Sequence, residues 1–364
     1  MKKIDKTVLI TGGCGFIGSH LVRLFVTKYP TYKIVNLDAM TYAGNQDNLN
    51  DVEKEENYVY VHGSICDKHL VDKLFKMYDF DYVIHMAAES HVDRSMTNPT
   101  VFVDTNVMGT INLLNFVRKY WAEGNKERRF FNMITDEIFG SLSIDDPPFD
   151  ENTPIDPHSP YSTSKAAQYL FGKTYFESYG LPIISLCCGN AIGGYQYLEK
   201  LVPLTIDRLI NKQEIPIYGE GKQMRDWTNV HDICNAIDIL VHDGSVGEMY
   251  CIGGDACITN IDLVKMIIRE YCVLTNNKVV EYEKLIKFIV DPRGKSHDFR
   301  YDLNHDKITN ELGWMPKYTV KESVHETVEW YLENTEWCEA LKKRDNSYDN
   351  WVMSHYGAKL KEKK

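Results

Sequence analysis

The 364-residue sequence lacks any apolar run of the roughly 18 to 20 residues that a membrane-spanning helix needs. It has no CxxC pair either, since its nine cysteines stand at irregular positions, a pattern that favours neither a disulfide framework nor a zinc site. Positive charge is scarce, with 41 Lys and Arg against 52 Asp and Glu and a net charge of −11, which argues against a nucleic-acid or anionic-membrane surface. We therefore expect a cytoplasmic protein with reduced thiols that binds no nucleic acid, no membrane and no metal.

What is present is the composition of a folded globular protein. Apolar residues make up 43% and charged residues 26%, and the length corresponds to about two domains. In the first half, short apolar runs alternate with longer helical periods, which is typical of βαβ units. Strands are predicted at 7–11, 33–38, 58–62, 82–86, 130–134 and 182–188, and helices at 19–28, 106–121 and 162–179. The expected fold class is α/β, a doubly wound parallel sheet of the Rossmann type with a smaller α/β domain.

The pattern changes after about residue 190, where elements become shorter and Gly and Pro more frequent. We predict a dinucleotide-binding domain at 1–190, which also receives 230–255 if the apolar stretch there returns to the first sheet. A second domain at 191–340 is expected to bind mainly the substrate. The remainder, 341–364, is predicted to be a polar C-terminal tail that frays over its last residues, 359–364.

A glycine-rich turn follows the first strand and opens the first helix. Residues 12–18 read GGCGFIG, which satisfies both GxxGxxG and GxGxxG. Glycine there permits a tight turn and a close approach of the backbone to a pyrophosphate, although ordinary turns are also rich in glycine. Asp38 ends the second strand twenty residues after Gly18, where a carboxylate would bind the adenosine ribose and repel a 2′-phosphate. Together the two features predict NAD rather than NADP.

Two further motifs carry candidate chemistry. Tyr161 and Lys165 are four residues apart on a predicted helix and so share one face, where an ammonium lowers the pKa of a phenol and makes it a general base. Asp136 and Glu137 directly follow the strand at 130–134, and two carboxyls at one site push their pKa values apart, so that one can be an acid and the other a base. A solvated Tyr–Lys pair and a polar turn are the plain alternatives.

Local positive charge in this acidic chain points to a phosphate site. Arg225 stands beside the glycine-rich turn at 218–227, and Arg293, His297 and Arg300 form a second basic cluster. A guanidinium is suited to bidentate contact with phosphate, although pairing with nearby Asp residues is equally compatible with the pattern. We therefore predict that a diphosphate is bound here.

Taken together, these motifs resemble the nucleoside-diphosphate-glucose 4,6-dehydratases of the extended short-chain dehydrogenase/reductase superfamily. The resemblance covers residues 7–334 and rests on TGGCGFIGS, NLDAMTYAGN, HMAAESHVDRS, TNVMGT, TDEIFG, YSTSK, YGEGKQMRDW, IGG and ELGW. TDE is the most discriminating of these, because related 4-epimerases and decarboxylases share the glycines and YxxxK but generally lack the Asp-Glu pair.

The resemblance implies a reaction on dTDP-glucose or UDP-glucose with tightly held NAD. In that mechanism Tyr161 removes the 4-hydroxyl proton while C4 passes a hydride to NAD, and Thr135 hydrogen-bonds the same oxygen. Glu137 then takes the C5 proton, Asp136 protonates the departing 6-hydroxyl, and the hydride returns to C6. The product is a 4-keto-6-deoxy sugar nucleotide of deoxysugar biosynthesis, as in a rhamnose pathway.

The resemblance also implies which residues line the site and how the chain assembles. Implied NAD contacts are Gly12, Gly15, Phe16, Ile17, Gly18, Asp38, Ser64, Ile65, Ala87, Ala88, Ser90, Asn106, Tyr161, Lys165 and Cys188. Implied contacts to the nucleotide sugar are Ser90, Thr135, Asn190, Lys200, Tyr218, Arg225, Asn260, Arg293 and His297. The helices at 106–121 and 162–179 correspond to the four-helix interface of a homodimer.

Three segments depart from the family pattern. At 63–65 the chain reads Gly-Ser-Ile without the usual Asp, and at 190–194 it reads NAIGG in place of NNYGP. The basic cluster at 291–301 reads DPRGKSHDFRY, two residues longer than usual. These changes concern the adenine contact, the floor between nicotinamide and sugar, and the diphosphate and base contacts, respectively.

Two alternatives remain open at this stage. A 4-epimerase or decarboxylase would keep NAD and Tyr161 but release no 6-deoxy product. A non-catalytic NAD-binding protein would keep the fold and tolerate Tyr161→Phe. The choice between dTDP and UDP is also open, because thymine and uracil differ by one methyl group, worth about 1 kcal/mol.

Overall fold

The computed structural model describes residues 4–121, 127–344, 348 and 356. The strands are β1 (Lys6–Thr11), β2 (Tyr32–Asp38), β3 (Tyr58–His62), β4 (Tyr82–His85), β5 (Arg129–Thr135), β6 (Ile183–Cys188), β7 (Asn190–Ile192), β8 (Ile215–Tyr218), β9 (Met224–Asn229), β10 (Met249–Ile252), β11 (Cys257–Thr259) and β12 (Ile286–Ile289).

The helices alternate with these strands in the first half and cluster in the second. They are α1 (Phe16–Lys28), α2 (Lys68–Met77), α3 (Val92–Thr97), α4 (Pro99–Phe102), α5 (Thr110–Trp121), α6 (Pro160–Tyr179), α7 (Leu201–Ile210), α8 (Val230–Asp243), α9 (Asn260–Thr275), α10 (Val279–Glu283), α11 (Asp306–Leu312), α12 (Val320–Glu333) and α13 (Thr335–Lys343). Single 3₁₀ turns lie at Gln46–Leu49, Asp136–Phe139 and Gly294–Ser296. None of the helices in the described ranges is long and apolar enough to cross a membrane.

Within the described residues the main sheet has seven parallel strands in the order β10-β6-β5-β4-β1-β2-β3. Strands β4 and β6 are buried along their whole length, as expected of parallel strands that helices cover on both faces. The predicted α/β fold with a Rossmann-type sheet is confirmed. The chain order reverses between β1 and β4, the kind of position at which such folds bind ligands.

The late strand β10 pairs in register with β6 and so lies at the edge of this sheet. Helix α8, which precedes it, packs against α1 on one face of the sheet. The other late strands form two small sheets, β11-β9-β7 and β12-β8. Together with α7, α9 and α12 they surround a second apolar core. We refer to this second unit as the small lobe.

The predicted helix at 106–121 was wrong at its start. Val103–Gly109 forms a π-helical turn, and the α-helix begins at Thr110. The side chain of Asn106, which is fully buried, stabilises this π-helical turn. Its amide donates to the Glu89 carbonyl (3.0 Å) and to Ser164 Oγ (2.9 Å). The Glu89 backbone N–H donates back to Asn106 Oδ1 at 2.8 Å. π-Helical turns of this kind occur often near functional sites.

The segment predicted as a polar tail contributes to the second core. Leu341, Tyr348 and Tyr356 are all buried in it. Tyr348 donates from its hydroxyl to Asp207 at 3.0 Å, and Arg344 donates to the carbonyl of Tyr42 at 2.6 Å. These contacts tie the end of the chain to both lobes. The predicted fraying at 359–364 lies outside the described residues.

Candidate active site

The predicted site residues come together in one cleft. Its floor is made by residues that directly follow β1 to β6, at the carboxyl ends of the strands, and residues of the small lobe line the opposite side. The predicted residues that line it are Gly12, Gly15, Phe16, Ile17, Gly18, Asp38, Ser64, Ile65, Ala87, Ala88, Ser90, Thr135, Asp136, Glu137, Tyr161, Lys165, Cys188, Asn190, Lys200, Tyr218, Arg225, Asn260, Arg293 and His297. All three segments that depart from the family pattern border this cleft.

One predicted cofactor contact, Asn106, is not part of the lining. Its amide is used by the Glu89 backbone and Ser164, as described above. Asn106 therefore supports the loop after β4 through these hydrogen bonds. The sequence could not show this, because the π-helical turn changes the face on which residue 106 lies.

Two glycines of the glycine-rich turn, Gly12 and Gly18, have no room for a side chain. Gly12 has φ +75°, and a Cβ there would stand 2.7 Å from the Ala87 Cα. A Cβ on Gly18 would stand 2.1 Å from the Gly12 carbonyl oxygen. Helix α1 begins without a side-chain cap, so its first backbone N–H groups are available to a ligand. This end of the cleft fits a pyrophosphate.

Asp38 lies where the ribose of a dinucleotide would be held. Its Oδ2 accepts the Cys14 N–H at 2.9 Å, and its Oδ1 accepts the Met40 N–H at 2.8 Å. Burial raises the pKa of this carboxyl, while the two backbone N–H groups oppose the shift. Each oxygen keeps a second lone pair for a ribose hydroxyl. The turn and Asp38 together fit NAD.

Substituting Gly12 by alanine tests this fit. We expect Gly12→Ala to weaken NAD binding by about tenfold or more, which corresponds to at least about 1.4 kcal/mol, because the loop must move to relieve both the contact with Ala87 and the positive φ. The measurement is the NAD content and NAD affinity of the purified protein. Gly180→Ala is the matched control, since Gly180 has φ +67° but nothing within 4 Å of an added Cβ. Equal NAD binding by the two variants would contradict the assignment.

At the other end of the cleft, Tyr161 lies in the first turn of α6. This helix starts with a capping box at Ser159 and has Pro160 at its first position, a combination that fixes where a helix begins. The Thr135 hydroxyl is a hydrogen-bond partner of the Tyr161 phenol and lowers its pKa, but burial and the neighbouring Glu137 raise that pKa well above its usual value.

Lys165 is held by two acceptors other than Tyr161, and its expected effect on the pKa of Tyr161 stays a prediction. The Lys165 ammonium donates to the Met133 carbonyl and to Gln168 Oε1, both at 2.6 Å, and it is not among the groups that lower the pKa of Tyr161. Burial lowers the pKa of Lys165 itself to about 7. Two buried acceptors on the sheet side thus hold the lysine, which spacing along a helix could not reveal.

The two adjacent acids occupy different electrostatic surroundings. Asp136 is buried, and its pKa rises to about 8 because burial and Glu137 both disfavour its charge. Burial raises the pKa of Glu137 too, but Arg293, Arg225 and Lys200 oppose that shift. Asp136 Oδ2 is buried and has no hydrogen-bond partner among the described residues. The pair can thus hold one protonated and one ionised carboxyl at the same pH.

The small lobe contributes cations to the cleft. Arg293 pairs with Asp93, whose second oxygen accepts the Tyr218 hydroxyl at 2.9 Å. The guanidinium of Arg225 lies 4.1 Å from the centre of the Tyr301 ring and donates to the Asp298 carbonyl at 2.9 Å. Asp pairing, the alternative left open by the sequence, is therefore present for Arg293, and both arginines also line the cleft.

Two polar side chains near these arginines, His297 and Lys200, are oriented by further contacts. His297 Nδ1 is 2.5 Å from Asp291 Oδ2, and Lys200 donates to the Ser90 carbonyl at 2.9 Å. Asn260 Oδ1 is buried without a hydrogen-bond partner in the described part of the chain. Arg300 lines no part of the cleft and instead holds Asp302 at 2.5 Å.

Sequence reasoning missed several cleft residues. Tyr356, from the far end of the chain, lines the cleft with its hydroxyl 3.4 Å from that of Tyr218. Glu199 is buried beside Arg94, at 2.9 Å, and also lines the cleft. No local sequence pattern indicated that Tyr356 would line the cleft. Glu199 stands next to Lys200, and no local pattern indicated it either.

Comparison with known proteins agrees with this geometry. A family model described as GDP-mannose 4,6 dehydratase matches residues 9–327. The dTDP-glucose 4,6-dehydratase of Salmonella typhimurium is 40% identical over 96% of this chain and 98% of that protein.

Solved structures give the same relationship. The dTDP-glucose 4,6-dehydratase of Bacillus anthracis, in complex with NAD, is 39% identical, with a TM-score of 0.82 over 92% of this chain and 99% of that one. The Streptomyces venezuelae dTDP-glucose 4,6-dehydratase with NAD bound is 36% identical, with a TM-score of 0.84 and the same coverage. This chain therefore belongs to the GDP-mannose 4,6-dehydratase family, within the extended short-chain dehydrogenases/reductases, and is similar over nearly its whole length to dTDP-glucose 4,6-dehydratases.

Proposed function

We propose that this chain is an NAD-dependent hydro-lyase, a sugar-nucleotide 4,6-dehydratase acting on dTDP-glucose or UDP-glucose. The observation that carries the proposal is the Asp136–Glu137 pair, which lies in the same cleft as Tyr161 and has one carboxyl biased towards the protonated form. The curated relative and the two solved structures named above are, by their names, dTDP-glucose 4,6-dehydratases, which favours that nucleotide. Loss of water from the sugar nucleotide, followed by mass spectrometry, tests the proposal.

The glycine-rich turn, the start of α1 and Asp38 would hold NAD. Bound there, NAD would supply a reversible hydride acceptor, which allows C4 to be oxidised first and C6 to be reduced last. Ala87 and Ala88 leave room for the ring systems at the end of β4. Cys188 lines the inner wall, and burial raises the pKa of its thiol, so it is a neutral packing group.

Tyr161 serves as the base for the sugar 4-hydroxyl. Its phenol is protonated in this structure because burial and Glu137 raise its pKa. Tyr161 can therefore accept the substrate proton only as the phenolate, formed after the phenol has lost its proton to solvent, and the Thr135 hydrogen bond favours that form. Lys165, held between Met133 and Gln168, keeps its third N–H for the cofactor side of the cleft.

The two acids then divide the elimination between them. A ketone at C4 acidifies the C5 proton, and Glu137 takes it, because Arg293, Arg225 and Lys200 oppose the rise that burial gives to its pKa. Asp136, which burial keeps protonated up to about pH 8, gives its proton to the departing 6-hydroxyl. Water leaves across C5–C6. A 4-epimerase or decarboxylase has no use for such an acid beside a base.

Substrate binding is assigned to the cationic side of the cleft. Arg225 and Arg293 would bind the diphosphate, with Tyr218 and Tyr356 beside it and Asn260 offering its unpaired oxygen. Further substrate contacts are Ser90, Thr135, Asn190, Lys200 and His297.

We also propose that two copies of the chain associate through their long helices. Leu170 and Phe171 on α6 are 47% and 37% exposed, and Val103 and Met108 on the adjoining π-helical turn are 47% and 51% exposed. Since α5 and α6 pack together, these apolar side chains extend over neighbouring helices. A pair of such faces would form a four-helix bundle.

A charge on this face tests the dimer. Leu170→Glu is expected to convert a dimer into a monomer, because a buried carboxylate without a partner is strongly unfavourable. Sedimentation equilibrium gives the molecular mass directly. Val273→Glu is the control, since Val273 is 71% exposed on α9. If Leu170→Glu retains the mass of the unmodified protein, another surface must form the interface.

The cytoplasmic location and the division into domains at 1–190 and 191–340 remain part of this proposal. All nine cysteines are free thiols, which fits a reducing compartment. The pairing of β10 with β6 fits a first domain that also receives residues 230–255.

A further inference from the structure

A buried amide stands directly behind Lys165. Gln168, one turn further along α6, is fully buried, and its Oε1 accepts from the Lys165 ammonium at 2.6 Å. Its Nε2 donates to Asn132 Oδ1 at 2.7 Å and to the Met133 carbonyl at 3.1 Å. Both ends of the amide are thus in use, one on the lysine and one on β5.

The contacts on β5 decide which end of the amide faces the lysine. An amide can present either its oxygen or its NH₂ group to a neighbour. The Met133 carbonyl can only accept, and it cannot rotate out of the strand. The NH₂ group of Gln168 must therefore point at β5, which leaves the oxygen towards Lys165. An oxygen accepts from an ammonium but has nothing to donate to a neutral amine.

This matters because burial opposes the charge of Lys165 and lowers its pKa to about 7. The titratable groups around it are Tyr161 on α6, Cys187 and Cys188 on β6, and His85 on β4. Burial keeps His85 neutral and both thiols protonated. Carboxylates are not among the described groups that shift the pKa of Lys165. The charge therefore depends on neutral acceptors.

We propose that Gln168 is a positioning residue for Lys165, whose amide oxygen, fixed in direction by β5, holds the lysine side chain as an ammonium with one N–H directed to the cofactor. This inference rests on the proposed function, which places Lys165 beside NAD. It deepens that function by adding a residue that does not itself line the cleft. Asn132 is the second member of the same network.

The test is the titration of Lys165 in the purified full-length protein. The lysine side chains are labelled with ¹³C at Cε, and the Lys165 signal is identified by its loss in Lys165→Met. Gln168→Met removes the acceptor while keeping the length of the side chain, and we expect the midpoint to fall by about one pH unit. Gln168→Glu places a carboxylate at the same point, and the midpoint should rise by at least as much.

Opposite shifts distinguish positioning from packing, because a merely structural residue would give shifts of the same sign or none. Tyr175→Phe is the matched control on α6, since it removes only the 2.9 Å hydrogen bond to Asn115, and its midpoint should not move. NAD retention should follow the same order. As the pH rises, Gln168→Met should lose NAD at a lower pH than the unmodified protein, and Gln168→Glu at a higher pH.

Unchanged midpoints in both Gln168 variants, or shifts in the same direction, would overturn the proposal. If Gln168→Met does not fold, Gln168→Leu takes its place, because it also removes the acceptor, and an unchanged midpoint refutes the role. The titration needs no sugar nucleotide. The two proposals can therefore fail separately. If only the proposed dehydration fails, no water is lost from the sugar nucleotide, yet the Lys165 midpoint still shifts in opposite directions in the two Gln168 variants.

Discussion

Tyr161→Phe is expected to lower kcat by about 10²- to 10⁴-fold, the range that general base catalysis contributes. In the proposed mechanism the phenol takes the 4-hydroxyl proton, because the Thr135 hydroxyl that is hydrogen-bonded to it cannot serve as the base. The ring itself packs against Phe102 at a centroid distance of 6.2 Å. Phenylalanine preserves that packing, so the fold and the NAD content should be unchanged.

The measurement is steady-state turnover with dTDP-glucose, alongside thermal unfolding and NAD content. Tyr175→Phe removes a hydroxyl from the same helix outside the cleft, and it should retain nearly full turnover. A non-catalytic NAD-binding protein predicts no difference between the two variants in any assay. Full activity of Tyr161→Phe would therefore show that Tyr161 is not the base for the 4-hydroxyl proton.

The second large effect is expected at the acid pair. Glu137→Gln should bind the sugar nucleotide but stop the incorporation of solvent deuterium at C5, with turnover reduced by about 10²- to 10⁴-fold. Asp136→Asn should also slow water loss, yet it leaves Glu137 able to exchange the C5 proton of the bound 4-keto sugar. Product analysis by mass spectrometry after reaction in D₂O separates these outcomes.

The pH profile provides a second criterion for the same assignment. Asp136 acts as an acid and must be protonated, and its pKa is raised to about 8. The rate of water loss should therefore fall as the pH rises through about 8. Undiminished deuterium incorporation at C5 in Glu137→Gln, or identical isotope patterns in both variants, would show that the two roles are assigned wrongly.

The main sheet could be predicted from the sequence because its buried strands consist mostly of apolar residues. The residues of β4 (YVIH) and β6 (IISLCC) are mostly apolar and are all buried, and the predicted 58–62 coincides with β3. The same reasoning failed at 103–109, because one extra residue in a π-helical turn hardly alters the apolar periodicity. The sequence therefore predicted Asn106 as a cleft residue, whereas in the structure its side chain hydrogen-bonds the backbone of Glu89, in the loop after β4.

Other features of the site depend on contacts between distant parts of the chain. Tyr356 reaches Tyr218 across 138 residues, and no local pattern records such a contact. The spacing of Tyr161 and Lys165 predicted one shared face, but the Met133 carbonyl and Gln168 compete for the ammonium and hold it. Local spacing therefore identified the residue types of the site, while tertiary contacts set their orientations and pKa values.

The most direct test of the central claim is the mass of the product. The purified protein is incubated separately with dTDP-glucose and UDP-glucose, without added NAD, and the sugar nucleotides are analysed by mass spectrometry. We expect loss of one water, about 18 mass units, with the larger kcat/KM for dTDP-glucose. Catalysis without added cofactor would also show that bound NAD is recycled. Unchanged masses for both substrates, with NAD present in the protein, would contradict the dehydratase assignment and favour an epimerase or a non-catalytic role.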